Sequence, residues 1–281
     1  MLHPRLPREL ETIIFIEAFR NQADDLPSLF LVAKRVRAWL APIAFKVVIV
    51  QANRVFPLGF QSISHFEDYG IHIQHLLVLD ETWQDITKNL DKCLSYCPNI
   101  TDLGLWQNQL GVKLESFLNL SKLTRLGVDV KYIAYPIGAI TTAAQFQNTP
   151  TPNPVATATA NIALFPNITH LNIVGPSANY DLVEILARHF PNLSHISMEI
   201  SSAYLAPLIF VSVLRFFKHL KTLVWWEKGE PQTSRPRPIR LDDPRVVSIV
   251  MNSVKGWENS ARGEQSGIWE LADEMIMKKR I

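Results

Sequence analysis

The chain has 281 residues, 28 Lys and Arg against 26 Asp and Glu, and 47% hydrophobic side chains. That much apolar material supports one large or two smaller cores and excludes a disordered tail. The near balance of charge excludes a bulk attraction to nucleic acid or an anionic membrane, and two cysteines exclude a disulfide framework.

Residues 1–45 read as a small helical module. The opening MLHPRLPRELETIIFIEAF is interrupted by Pro, Arg and Glu and lacks the apolar stretch of a signal peptide. The most apolar later run, AYLAPLIFVSVLRFF, is broken by Pro207 and Arg215, short of the roughly 20 residues of a membrane span. The compartment expected is cytoplasmic, nuclear or both. Pro7 and Glu9 suit a first helical turn, after which Leu10, Ile13 and Ile14 form an apolar stripe. DDLPSLFLVAKRVRAWL restarts with Asp25 as a cap and carries Leu29, Val32, Ala33, Val36 and Leu40 at helical spacing. So small a cluster needs the rest of the chain, or another protein, to pack against.

Residues 46–255 repeat themselves. The pattern apolar-x-x-apolar-x-apolar occurs at Ile73/Leu76/Val78, Ile100/Leu103/Leu105, Leu123/Leu126/Val128, Ile168/Leu171/Ile173, Leu193/Ile196/Met198, Leu220/Leu223/Trp225 and Val246/Ile249/Met251. The first positions are separated by 27, 23, 45, 25, 27 and 26 residues, a spacing matched by leucine-rich repeats. Between the strands lie helical segments, DITKNLDKCLSY, DLVEILARHF and AYLAPLIFVSVLRFF. The fold class expected is α/β: a short helical module, then a solenoid of short parallel strands alternating with helices, then a C-terminal helix.

Three copies of Pro-Asn-apolar-Ser/Thr, at Asn99, Asn167 and Asn192, sit where helix should give way to strand, and Asn119 gives a fourth match to the N-glycosylation pattern. In a chain outside the secretory pathway the pattern has an architectural reason instead. Proline ends the helix and asparagine tolerates the turn that redirects the chain. Cys93 and Cys97 fall one helical turn apart and read as core, since no further ligands at matched spacing suggest a metal. The long step contains AITTAAQFQNTPTPNPVATATANIA, an uncharged loop inserted at about 134–163. Residues 256–281 read as a C-terminal helical cap.

Strand alternation puts the pattern residues inward and the residues between them on the concave face. On that face the substrate-contact candidates are Trp106, Arg125, Asp129, His170, His195, Glu199 and Trp226, with the two tryptophans as anchors. The same reading aligns Ser248, Val250 and Asn252 with Thr222, Val224 and Trp226. No Gly-rich phosphate loop or Gly-x-Ser-x-Gly elbow is present, His72 and His75 lack the helical HExxH setting, and the chain reads as a binding protein without cofactor rather than an enzyme.

Leu6, Pro7, Glu9, Leu10, Ile14, Asp25, Leu26, Leu29, Val32, Arg35 and Trp39 resemble the F-box pattern: Leu-Pro-x-Glu-Leu, an Asp-Leu step, then Val-x-Lys/Arg and a Trp. With the repeats, and with DPRVV, GWEN and GIWELADEMIMKKR near the C-terminus, the chain resembles the F-box-like, leucine-rich-repeat proteins of mushroom-forming fungi. The resemblance implies docking on the small Skp-family adaptor of Skp-cullin-F-box ubiquitin ligases through Leu6, Pro7, Leu10, Ile14, Leu29 and Val32. The repeats would then hold a protein substrate. The alternative is a stand-alone repeat scaffold with no ligase.

Overall fold

The computed structural model describes residues 6–21, 26–51, 54–56, 63–79, 89–106, 114–129, 163–174, 180–199, 206–228, 243–251, 253–263 and 267–279. The chain divides into two units, the first comprising residues 1–101 and 109–120, the second residues 102–108 and 121–281. The expected cap at Asp25 and the inserted loop fall outside the described residues. Among those described, no helix is long and apolar enough to cross a membrane.

The first unit opens with α1 (Arg8–Asn21), α2 (Leu26–Val32) and α3 (Lys34–Ala44). The sequence suggests one helix where α2 and α3 stand. The break falls at Ala33, whose extended backbone (φ −164°, ψ 150°) forms the N-cap of α3. Arg35 bridges to Glu11 at 3.1 Å and Arg8 lies over the Trp39 ring, so polar contacts hold α1 to α3. The module packs on the strand–helix part of its own unit through aromatic rings. Phe45 stacks on Tyr69 with centroids 4.0 Å apart, Phe30 meets Phe45 edge-on, and the Arg37 guanidinium covers Tyr69.

Next come β1 (Val47–Gln51), β2 (Arg54–Phe56), α4 (Ile63–Tyr69), β3 (His75–Val78) and α5 (Leu90–Ser95); α6 (Leu114–Leu118) also belongs to this unit. β1 is parallel to β3 and antiparallel to β2. The repeat pattern missed β1, yet Val47 to Val50 are all buried, as a β-branched run in a covered strand should be. Cys93 and Cys97 are both buried core thiols, with Cys97 Sγ directed at the Cys93 carbonyl.

The second unit carries β4 (Asp102–Leu105), β5 (Arg125–Asp129), β6 (His170–Val174), α7 (Tyr180–His189), β7 (His195–Glu199), α8 (Ala206–Phe216), β8 (Thr222–Lys228) and β9 (Val246–Met251). Two further helices follow, α9 (Ser253–Arg262) and α10 (Ile268–Lys279). The strands lie in chain order from β4 to β9, each parallel to the next. β5 and β6 are direct neighbours, with Arg125 opposite His170, so the 45-residue step inserts no strand between them.

The pattern residues are core: Leu103, Leu171 and Leu223 are fully buried, and those from Ile73 to Trp225 are at most 5% exposed. At about 1.5–3 kcal/mol for each large apolar side chain removed from water, these rows are the main stabilising term. β9 corrects the expected register. Leu223 faces Val246 and Trp226 faces Ile249, which moves Ser248 to the face of Trp225. The shift is of three residues, and an odd shift exchanges faces, so Val247 and Ile249 line the side expected to carry Ser248 and Val250.

The Pro-Asn corners have a further role. Asn99 Nδ2 donates to the Ile71 carbonyl at 2.7 Å, Asn167 Nδ2 to Ser121 at 3.2 Å, and Asn192 Nδ2 to Pro166 at 2.8 Å. Each asparagine therefore ties its corner to the preceding one. The backbone amides two and three residues on do the same: Thr169 and His170 donate to the Thr124 carbonyl, Ser194 and His195 to Thr169. Carbonyls at the bends gain partners that the strand ladder does not supply.

Candidate functional site

The site lies within the second unit, on the strand face that alternates with the buried pattern rows. α10 runs over this face at β8 and β9. Trp269, Ala272 and Ile276, at helical spacing, form one cluster with Val224, Trp226, Val247 and Ile249. The expected C-terminal cap thus covers part of the surface assigned to substrate. Trp226, expected as an exposed anchor, is 1% exposed, and its Nε1 donates to Asn172 Oδ1 at 3.3 Å. His195 and Asp129, also expected as contact residues, are buried. For Trp226 and His195 the cause is α10: an amphipathic helix must bury its apolar stripe, and this face offers the complementary apolar rows.

The polar groups on the face serve that closure. His170 and His195 stack with centroids 4.2 Å apart and planes 9° from parallel, and Trp269 meets both rings edge-on at 5.2 and 5.9 Å. Burial, with His195 and Arg125 alongside, pushes the His170 pKa down to about 3, and burial lowers that of His195 against the opposing pull of Asp273. Two neutral imidazoles can stack this closely where two cations would repel. Asp273, on α10, accepts from Thr222 Oγ1 at 2.7 Å and lies 3.3 Å from His195 Nε2. Ser194 Oγ stands 2.7 Å from His195 Nδ1 and also donates to the Thr169 carbonyl at 3.2 Å. Thr169 Oγ1 likewise stands 2.8 Å from His170 Nδ1 and donates to the Thr124 carbonyl at 3.3 Å.

Toward β4 the face opens into a pocket enclosing about 500 Å³ of non-atom space, solvent at its mouth included. Its floor is strand: Asp102, Trp106, Arg125, Gly127, His170 and Asn172. Its wall is Gly256, Trp257 and Ser260 of α9 with Ile268 and Trp269. Trp257 Nε1 donates to Asp102 Oδ1 at 3.1 Å, and Arg125 bridges to Glu270 at 3.3 Å. Trp106, Arg125 and His170 are partly exposed here, while Glu199 lies away at the end of β7 beside Trp226. Just before β9, Arg245 makes a two-toothed contact with Asp243 (3.0 and 2.8 Å), fixing the turn that leads into β9.

No family model matches the chain, and no curated protein or solved structure matches it either.

Sequence reasoning left out Trp257, Trp269 and Asp273. A signal for them was present: Trp269, Ala272 and Ile276 make a helical stripe, and apolar Val247 and Ile249 lie on the alternating positions of a strand. The adaptor candidates belong to the first unit. Leu6, Leu10, Ile14 and Val32 are 54%, 48%, 52% and 59% exposed, Pro7 is exposed, and Leu29 is partly buried.

Proposed function

We propose that the chain is a non-enzymatic substrate receptor of a Skp-cullin-F-box ubiquitin ligase, with residues 1–45 docking the adaptor and leucine-rich repeats holding a protein substrate. One observation carries the docking half. The helical stripe of α1 faces outward: Leu10, Ile13 and Ile14 are about half exposed, beside Leu31 at 86% and Val32 at 59%. Apolar exposure of this kind marks an interaction surface, and Leu10, Ile14 and Val32 within it are among the residues that the F-box resemblance assigns to the adaptor. The module is meanwhile anchored to its own unit through Phe45, Tyr69 and Phe30, so it keeps its shape without that face being covered. Substrate contact falls to the β4–β6 end of the strand face, because α10 covers β8 and β9.

The test is titration of the purified chain against the adaptor, with the double variant Leu10→Asp and Ile14→Asp. Affinity should fall about thirtyfold or more, as for removal of a central interface anchor, with an unchanged thermal midpoint. A wild-type chain that fails to bind adaptor at micromolar concentration overturns the docking role and leaves the scaffold reading. A double variant that unfolds overturns the assignment of these residues to a surface.

A further inference from the structure

We infer that the pocket between the β4–β6 strand face and α9 binds a primary carboxamide, such as a Gln or Asn side chain of a protein substrate. This deepens the receptor reading by naming the chemistry of what is held. Its test reads the pocket alone, so failure to bind an amide and failure to bind adaptor are separate results.

The pocket holds a donor that has no acceptor of its own. Trp106 Nε1 is buried and has no hydrogen-bond partner among the described residues, and it sits directly over Gly127, where an added Cβ would lie only 2.7 Å from it. At Gly127 the strand thus yields space to the indole. Asn172, opposite Gly127 in the ladder, has its Oδ1 occupied by Ser197 Oγ (3.1 Å) and Trp226 Nε1 (3.3 Å). Those two bonds fix which end of the amide is oxygen and turn the NH₂ group outward as a donor. An unmatched buried N–H is costly, so a ligand oxygen placed between Trp106 and Asn172 regains what the empty pocket forgoes.

Charge decides what the oxygen belongs to. Asp102, two residues before Gly104 on β4, presents a carboxylate on the same face, and Glu270 stands beside Arg125 at the rim. Two carboxylates face one guanidinium, and His170 is neutral, which disfavours an anion. An ammonium group would leave the indole and amide donors unmatched. A carboxamide answers both sides, with its oxygen toward Trp106 and Asn172 and its NH₂ toward Asp102. Two residues along a strand span about 7 Å, which one amide with a hydrogen bond of about 2.9 Å at each end reaches across. The tryptophan walls shelter the apolar part of the side chain.

The experiment uses the full chain with its seven tryptophan indoles labelled with ¹⁵N and benzamide as probe, with benzoate and benzylamine as anionic and cationic counterparts. Millimolar benzamide should shift downfield the one indole N–H signal that disappears in Trp106→Phe, and benzoate and benzylamine should leave it in place. By fluorescence titration, Trp106→Phe should bind benzamide roughly three- to tenfold more weakly, the effect of losing one hydrogen bond while keeping a ring. Should that variant not fold, Gly127→Ala identifies the same signal by displacing the indole. A Trp106 signal that ignores benzamide, or that responds equally to benzoate, overturns the inference.

Discussion

Acid should loosen the closure of α10 on the strand face. His170 has its pKa pushed down to about 3 from an ordinary 6.5, chiefly by burial, with His195, Arg125 and Lys221 adding repulsion and Asp273 opposing them. The neutral ring is the folded form. Its contribution is therefore complete above pH 6.5, where folded and unfolded chains are both unprotonated. It is lost as the pH falls from 6.5 toward 3, because only the unfolded chain binds the proton there. Each unit is worth about 1.4 kcal/mol, so at pH 5 the loss from this residue alone is about 2 kcal/mol. Urea unfolding followed by tryptophan fluorescence at pH 7.5 and pH 5, on wild type and His170→Phe, isolates it. Wild type should lose about 2 kcal/mol more than the variant between the two pH values. Equal losses, or a wild type more stable at pH 5, would refute the reasoning.

Two further results are expected. Asn192→Ala removes the bond to the Pro166 carbonyl and should destabilise the second unit by about 0.5–1.5 kcal/mol in chemical denaturation; the change should be independent of pH. Cys93 and Cys97, whose thiols burial pushes up to about 12, should resist iodoacetamide at pH 8 in the folded chain and react once urea unfolds it, read by mass spectrometry. Fast labelling of the folded chain would show the first unit opening locally.

The strand–helix alternation was legible because burial acts on period and spacing. Leu103, Leu126, Leu171, Ile196 and Leu223 had to be inside for any of the strands to form, and the ladder places them side by side. The Pro-Asn corners were legible as turns, but not as links between turns: that the Asn192 amide reaches Pro166 depends on a neighbour 26 residues away. β1 was missed because Val47–Val50 is a bare apolar run without the spaced pattern of the others. The register of β9 was missed because Val246, Val247, Ile249 and Val250 are apolar on both faces, so alternation could not choose between them. The packing of α10 did choose.

What the sequence determined by itself was the set of elements and their inward faces, because hydrophobic periodicity is a local property that each segment carries. Which surface remained for a partner was decided only by tertiary structure. Trp226 and Trp106 occupy equivalent positions, each directly after the last residue of its pattern, yet one is sealed beneath Trp269 and Ile276 and the other keeps an N–H without a partner among the described residues at a pocket. The difference comes from where a helix more than 40 residues further along than Trp226 comes to rest. Exposure belongs to the assembled chain, and no single strand encodes it.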